Sequence, residues 1–338
     1  MRIMVFDVAA ESGGAISVLF EFYAEFKLDQ KNEYIFILSL PELKGTSNIK
    51  VLRFPWIKKS WGHRLYFDHF IAPKLIKAYE VDKVLSLQNM IVPRTKVYQS
   101  VFVHNALPFS EYRFSLKDDK LLWFYQNIIG KNIMKSIKKA NHVIVQTNWM
   151  KKKLIEQLYI DAEKIEIKQS KIDIGIKEQF RETKDSLSTF FFPASGVIFK
   201  NHKVIVDACL KLKEDGIGIK DYKVIFTVSG DENQYIAELY NLAKSNNLPI
   251  EFAGSMHRDK VFQLYSKSVL VFPSYIETVG LPLVEARMHN TPMLVADCQY
   301  SKEITDGKDN ISYFDPLDSS ELVRLMKGSI CKSSMFTT

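Results

Sequence analysis

The stretch that decides the fold is Glu277-Thr278-Val279-Gly280-Leu281-Pro282-Leu283-Val284-Glu285, which follows the apolar run Val269-Leu270-Val271-Phe272-Pro273. A short run of this kind is typical of a strand inside a parallel sheet. Gly280 allows the backbone to approach a ligand closely, and Pro282 begins a helix, where its missing N–H is not needed. The free N–H groups at positions 279 to 281 and the positive end of the helix dipole together predict a phosphate site.

Two carboxylates flank this predicted phosphate site. Glu277 stands before the turn, and Glu285 stands eight positions later, about one turn into the helix. Because carboxylates accept hydrogen bonds from hydroxyls, one suits a sugar and the other a ribose, on either side of the phosphate. The alternative is an ordinary strand-to-helix turn that leads into a solvated helix.

The whole string resembles the Glu-x7-Glu motif of the family 4 retaining glycosyltransferases, the group 1 glycosyltransferases. The residues that carry the resemblance are the apolar strand, Pro273-Ser274, Glu277, the Gly-Leu-Pro turn, Glu285-Ala286, and Asn290-Thr291-Pro292 before a second apolar run at 293–296. Membership implies the α/β GT-B fold, in which two Rossmann-like domains face each other across a cleft. It also implies that Glu277 contacts the transferred sugar, that Glu285 binds the ribose, and that Val279, Gly280 and Leu281 contact the donor.

The chain is long enough for this architecture, because 338 residues allow two domains of about 150 to 180 residues with separate cores. Apolar runs alternate with amphipathic stretches in both halves, as in parallel sheets covered by helices. We expect an N-terminal acceptor-binding domain over 1–175, a C-terminal nucleotide-sugar-binding domain over 176–338 and a connector over 168–188. The expected strands are 2–7, 33–39, 49–54, 83–87, 97–103, 142–146, 189–193, 222–228, 250–253, 269–273 and 293–296, and the expected helices are 15–28, 64–80, 119–139, 148–158, 201–214, 233–246, 258–266 and one that begins at Pro282.

The resemblance weakens at the C-terminal end. It implies a long helix that crosses back onto the N-terminal domain, whereas residues 321–326 are followed by a polar tail that ends at Thr338. We therefore expect a short or truncated member of the family.

Two features of the N-terminal half match family positions. Glu11-Ser12-Gly13-Gly14 follows the first strand, where a glycine pair resembles the double-Gly loop near the donor phosphate and acceptor; a tight strand-to-helix turn is the alternative. His104 ends the apolar run Val101–Val103, at the carboxyl edge of the sheet where ligands bind in open α/β folds. The resemblance implies that His104 lies near the reacting sugar, although a lone histidine is often structural.

The second half offers further donor-binding residues. The family places an Arg and then a Lys, both for the diphosphate, after the first strand of this domain. Lys200 matches the Lys, with a plain helix-start lysine as the alternative, but Ala194 and Ser195 stand where the Arg is expected. Ser195, backbone N–H groups or an arginine from elsewhere in the chain must then meet that phosphate charge. Gly230 and Met256 follow the next two strands, and the resemblance places Met256 near the base.

No Asp-x-Asp pair occurs, so no metal site and no cofactor beyond a UDP- or GDP-linked sugar is expected. The resemblance implies transfer with retention by front-side attack of an acceptor hydroxyl. Glu277 then stabilises charge that develops on the sugar.

Charge is distributed unevenly along the chain. Residues 1–180 hold 28 Lys and Arg against 19 Asp and Glu, whereas residues 181–338 hold 18 against 20. Seven lysines and no acid lie in 131–153, and two tryptophans with two lysines lie in 54–61. These clusters either face an anionic membrane and a lipid-linked saccharide acceptor, or they are a solvated face beside core tryptophans.

Three distant cysteines and the lack of a long apolar run indicate a cytoplasmic protein, peripheral on the membrane at most.

Two other functions fit parts of the sequence. A nucleotide-sugar epimerase shares the GT-B fold but needs acid and base groups in the N-terminal half, where His104 gives little support. A nucleic-acid-binding protein would use the same lysines, but it leaves the Glu277 to Glu285 motif unexplained. We therefore favour a glycosyltransferase in bacterial-type surface polysaccharide synthesis, with no nucleic acid as partner.

Overall fold

The computed structural model describes residues 1–11, 13–169, 178–307 and 309–337. The chain divides into two compact units, Met1–Ile172 and Asp173–Thr338. The predicted domain boundary between 175 and 176 lies outside the described residues, as do Ser12 of the glycine loop and Ser170 of the predicted connector.

The first unit is built on a seven-stranded parallel sheet of order β3-β2-β1-β4-β5-β6-β7. Val5 pairs with Phe36 on one side and with Leu85 on the other. The three-residue strand β7 is absent from the sequence-based prediction because so short a run leaves little periodicity. The strands are β1 (Arg2–Asp7), β2 (Glu33–Leu38), β3 (Ile49–Arg53), β4 (Lys83–Ser86), β5 (Tyr98–Val103), β6 (His142–Val145) and β7 (Ile165–Ile167).

Two of the predicted helices in this unit are interrupted by π turns. Residues Phe67–Ile71 separate α2 from α3, and residues Tyr125–Ile129 separate α4 from α5. Asp119 caps α4, because its carboxylate accepts from the N–H groups of Leu121 and Leu122. The helices are α1 (Gly13–Lys27), α2 (Trp61–Tyr66), α3 (Ala72–Ala78), α4 (Lys120–Phe124), α5 (Gly130–Lys139) and α6 (Asn148–Leu158).

The second unit carries a six-stranded parallel sheet of order β10-β9-β8-β11-β12-β13. Its core is rich in phenylalanine: Phe192 packs against Phe226 and Phe272, and all three are fully buried. The strands are β8 (Thr189–Phe192), β9 (Lys223–Phe226), β10 (Ile250–Phe252), β11 (Val269–Phe272), β12 (Met293–Ala296) and β13 (Ile311–Phe314). The helices are α7 (Lys184–Ser188), α8 (His202–Glu214), α9 (Gln234–Ser245), α10 (Arg258–Tyr265), α11 (Leu281–Met288), α12 (Gln299–Thr305) and α13 (Ser319–Ser334).

The prediction of a polar tail after Met326 is wrong, because α13 continues to Ser334. Leu322, Val323 and Met326 are buried and anchor its first half. The polar second half contacts the same unit through Ser329, whose hydroxyl donates to the carbonyl of Leu187 at 2.6 Å. The sequence-based prediction also lacks α12 and β13, and it treats α7 as part of the connector.

Two absences concern the described part of the chain. No helix there is long and apolar enough to cross a membrane. No group of three or more His, Cys, Asp or Glu side chains is arranged there to hold a metal ion.

Gly230 provides a test of the packing in the second unit. Its φ is 109°, and a Cβ there would lie 2.5 Å from Cδ2 of Tyr240. We expect Gly230→Ala to lower the free energy of unfolding by about 2 to 4 kcal/mol, because it adds backbone strain to a steric clash. Gly328→Ala is the matched control, since a Cβ there meets nothing within 4 Å. The control should gain about 0.5 to 1 kcal/mol from the helix, and equal denaturation midpoints for the two variants would contradict the packing.

Candidate functional site

The glycine turn after β11 has the geometry that the sequence predicts. Gly280 caps α11 with a φ of 72°, and a Cβ there would lie 3.3 Å from both Phe272 and Tyr300. Any other residue would meet both the left-handed backbone and this packing, so the turn requires glycine. The helix begins at Leu281, one residue before the predicted Pro282. Pro282 has no N–H, and the N–H of Leu283 donates to the carbonyl of Gly280 at 2.8 Å. What α11 offers a phosphate is therefore the positive end of its dipole at Leu281.

Several of the donor-binding residues predicted in the second unit follow strands of its sheet at one edge. Because β8, β9, β10 and β11 are parallel neighbours, the loops at their carboxyl ends lie side by side. Ser195 and Lys200 follow β8, and Gly230 follows β9. Met256 follows β10, and Glu277 follows β11.

Lys200 and Glu277 form an ion pair between Nζ and Oε1. Both side chains are largely shielded from solvent, with 21% and 13% of their surfaces exposed. The backbone holds the two segments together, because the N–H of Tyr275 donates to the carbonyl of Phe199 at 3.2 Å. Shielding strengthens this attraction relative to a surface pair, so an anionic ligand must compete with Glu277 for the ammonium group.

Glu285 is held by two partners that sequence reasoning missed. The hydroxyl of Tyr265 donates to Oε2 at 3.0 Å, and Nη2 of Arg258 lies 3.5 Å from Oε1. Burial raises the pKa of Glu285 above its usual range, although Tyr265 and Arg258 act in the opposite direction. Tyr265 is fully buried and therefore fixes one carboxylate oxygen, while the other faces the half-exposed Arg258.

The segment where the family's Arg is expected has a backbone role instead. The N–H of Ala194 donates to Oγ1 of Thr227 at 3.0 Å, and Nδ2 of Asn233 donates to the carbonyl of Gly196 at 2.8 Å. Ser195 between them is exposed. Ser195 is therefore at the surface of this sheet edge, and the loop between β8 and α8 contains no arginine.

Gly230 and Met256 differ in what they offer a ligand. The N–H groups of Ser229 and Gly230 both donate to the carboxylate of Glu232, at 2.5 and 3.1 Å. Desolvation acts to raise the pKa of Glu232, but these hydrogen bonds outweigh it and hold that pKa below its usual value. The Gly230 amide is therefore engaged within the loop. Met256 is half-buried just after Gly254, which has a φ of 72°.

The first unit brings its own candidates to one sheet edge. Gly13 begins α1 with a φ of 60°, and a Cβ at Gly13 or Gly14 would meet nothing within 4 Å. The backbone N–H of His104, after β5, donates to Oδ1 of Asn89 at 2.8 Å. Burial lowers the pKa of His104 to about 4, so its ring is neutral near pH 7. His104 is thus suited to hydrogen bonding rather than to carrying charge.

The sequence of the second unit matches a known family. Residues 176–328 match the family described as Glycosyl transferases, group 1. The resemblance to the group 1 glycosyltransferases is confirmed. The chain is 23% identical over 246 residues to the O-antigen chain mannosyltransferase RfbU of Salmonella typhimurium, a match that covers 71% of this chain. The match spans 64% of the length of RfbU.

Solved structures extend the fold likeness to nearly the whole chain. Sucrose-phosphate synthase from Thermosynechococcus elongatus aligns with a TM-score of 0.73 at 13% identity, covering 98% of this chain and 90% of that one. Anabaena HepE, solved with UDP and glucose, aligns with a TM-score of 0.69 at 17% identity, covering 99% and 91%. The predicted GT-B fold class with two parallel α/β sheets is therefore confirmed.

A second histidine, His202, lies next to the site and is buried in an apolar setting. It begins α8 just after Lys200 and Asn201, and its ring packs between Phe192 and Phe226. Neither of its ring nitrogens has a hydrogen-bond partner. Burial lowers the pKa of His202 to about 3, and the nearby charge of Lys200 acts in the same direction.

His202 should make stability sensitive to acid. Between pH 6.5 and 3 the unfolded chain binds a proton that the folded ring excludes, so the free energy of unfolding falls as pH falls, by at most about 1.4 kcal/mol per unit. We expect His202→Leu to remove this part of the slope between pH 6.5 and 5, as measured by urea denaturation. Parallel pH curves for wild type and His202→Leu would contradict the assignment.

Proposed function

We propose that this chain is a retaining, metal-independent glycosyltransferase that moves a hexosyl or related sugar from a UDP- or GDP-linked donor to a saccharide acceptor. The observation that carries the proposal is the Lys200–Glu277 ion pair beside the N-terminus of α11, with Glu285 on the same helix. This arrangement offers a cation and a helix dipole for a diphosphate, and carboxylates on both sides of it.

Donor binding rearranges charges at this site. The diphosphate takes the Nζ of Lys200 from Glu277 and also lies at the positive end of the α11 dipole. Glu277 is then released to accept hydrogen bonds from the sugar, and Glu285 accepts them from the ribose. The leaving diphosphate is stabilised by Lys200 and the helix dipole, the role that a divalent metal has in other transferases.

Transfer proceeds on one face of the sugar. The bond from the anomeric carbon to the phosphate oxygen breaks, and its electron pair stays with the departing diphosphate. The acceptor hydroxyl oxygen bonds to the same face of that carbon, and its proton passes to the departing phosphate oxygen, so the configuration is retained. Glu277 stabilises the positive charge that develops on the sugar ring.

Relatives support the choice of substrates. HepE was solved with UDP and glucose, and RfbU is described as an O-antigen chain mannosyltransferase. We therefore assign this chain to the synthesis of a bacterial-type surface polysaccharide with a lipid-linked acceptor. Gly13, Gly14 and neutral His104 are proposed to contact the substrates through the backbone and the imidazole.

The two alternatives account for less of the site. An epimerase needs an exposed acid or base in the first unit. Burial raises the pKa of Asp7 to about 7, but this side chain is only 1% exposed. A nucleic-acid-binding protein gives no role to Glu277 or Glu285. A glycosyltransferase uses both.

Substitutions of Glu277 and Glu285 should have different effects on turnover and on nucleotide affinity. We expect Glu285→Ala to weaken nucleoside diphosphate binding by about 1 to 3 kcal/mol, because a charged acceptor is lost. Glu277→Gln should lower kcat far more than it lowers that affinity, because the partner of Glu277 in the reaction is the sugar. Calorimetry gives the affinities, and a panel of UDP-, GDP- and dTDP-sugars in the presence of EDTA gives turnover. Glu214→Gln, an exposed site on α8, is the matched control.

Two outcomes would contradict this assignment. Equal losses of kcat and affinity in Glu277→Gln would remove Glu277 from the sugar. Activity that vanishes in EDTA and returns with magnesium or manganese would end the metal-independent mechanism.

We assign a membrane contact to exposed apolar side chains and lysines of the first unit. Apolar side chains on α2, α4 and the π turns are exposed, and they are Trp61, Leu65, Tyr66, Phe70, Leu121, Phe124 and Ile128. Four lysines of α5 are exposed as well, namely Lys131, Lys135, Lys138 and Lys139. Exposed aromatic and aliphatic side chains together with lysines suit an anionic lipid interface.

Three residues of the surface predicted from the sequence have partners within the unit. Trp56 packs against Phe67 with ring centroids 6.0 Å apart, so its ring is partly occupied within the unit. Lys151 donates to the carbonyl of Ile165 at 2.9 Å, and Lys153 pairs with Glu111 at 2.8 Å. We propose peripheral binding through the exposed apolar residues and the α5 lysines instead.

Vesicle sedimentation tests the membrane proposal. We expect the protein to bind vesicles that contain anionic lipid and to leave them as salt shortens the Debye length from about 10 Å at 0.1 M to about 3 Å at 1 M. Leu65→Ser with Phe70→Ser should weaken binding, and so should replacement of the four α5 lysines by Gln. Leu28→Ser, at an exposed site on another part of the unit, is the control. Equal binding to neutral vesicles would contradict the proposal.

A further inference from the structure

Arg258 places a guanidinium beside the carboxylate assigned to the ribose. It is the first residue of α10, and its Nη2 lies 3.5 Å from Oε1 of Glu285. The guanidinium carbon lies 5.0 Å from the ring centroid of Phe262, which supports one of its faces. The side chain remains 55% exposed, so it is oriented by the protein and still accessible to a ligand.

The proposed site gives a bound nucleotide a direction. Lys200 and the N-terminus of α11 define the phosphate end. Glu285 lies further along the same helix, where it holds the ribose. In any nucleotide the ribose stands between the phosphate and the base, so the base extends past Glu285, away from Lys200. Arg258 is the cation that contacts Glu285 there.

Tyr265 strengthens this placement. Its buried hydroxyl fixes Oε2 of Glu285, and its carbonyl accepts from the Thr291 hydroxyl at 2.7 Å. The Glu285 carboxylate is thereby held in one orientation, with Oε1 toward Arg258. A ribose hydroxyl that binds Oε1 must share it with the guanidinium, which brings the base within reach of the arginine.

Guanine, adenine and uracil present different hydrogen-bonding groups to an arginine. Guanine presents two adjacent acceptors, O6 and N7, which match the fork of a guanidinium. Adenine presents a donor beside N7, so the second N–H of the fork meets another donor. Uracil presents a carbonyl oxygen flanked by an N–H donor, so one hydrogen bond forms rather than two. An arginine at this position therefore discriminates in favour of guanine.

We propose that Arg258 recognises the base of the donor, that this base is guanine, and that the chain takes a GDP-linked sugar. The proposal rests on the nucleotide site proposed above and narrows its donor to one class. Arg258 pairs with Glu285 in the structure, and with the donor bound it also donates to O6 and N7.

Calorimetric titration of the full chain with GDP, UDP and ADP tests the proposal. Wild type should bind GDP about tenfold more tightly than UDP or ADP, since a bidentate arginine pair is worth about that much discrimination. Arg258→Lys keeps the charge and loses the fork, so it should weaken GDP binding about tenfold and change UDP binding less than about threefold. Arg324→Lys, at an exposed arginine on α13, should leave all three affinities unchanged.

The outcomes separate this proposal from the one on which it rests. Tighter binding of UDP than GDP, or equal losses for both in Arg258→Lys, would overturn base recognition by Arg258 while leaving the nucleotide site intact. Failure of all three nucleotides to bind folded protein, as checked by circular dichroism, would overturn both. Selective loss of GDP affinity would support both.

Discussion

The ion pair between Lys200 and Glu277 is the interaction on which the site depends. It joins the loop after β8 to the loop after β11, two neighbouring strands of one parallel sheet. The backbone bond from Tyr275 to Phe199 holds the same two loops together. Each charge is satisfied by the other, and both contacts hold the two loops beside the N-terminus of α11.

The second glutamate follows the same logic with different partners. Glu285 is neutralised by Arg258 and anchored by Tyr265, so each carboxylate of the motif has a cation from another segment. A dianionic diphosphate can enter such a site at moderate cost, because it replaces one anion beside Lys200 with another. Glu277, freed from Lys200, then meets hydroxyl groups, which are weaker partners than ammonium but more specific ones.

Local chemistry explains which parts could be predicted from the sequence. Gly280 at positive φ and Pro282 in the first turn fix the strand-to-helix turn, and most strands and helices follow from their periodicity. Arg258 and Tyr265 leave no such mark, because α10 reaches Glu285 only through the packing of the sheet. The sequence does not predict the second half of α13 for the same reason, because a tertiary contact from Ser329 to Leu187 supports a helix with a polar sequence.

A crystal structure of the chain with a bound nucleoside diphosphate tests the central claim most directly. The account expects a phosphate oxygen within hydrogen-bond distance of Nζ of Lys200, Glu277 displaced from that ammonium, and two ribose hydroxyls on Glu285. A nucleotide bound elsewhere, with the Lys200–Glu277 pair unbroken, would contradict it.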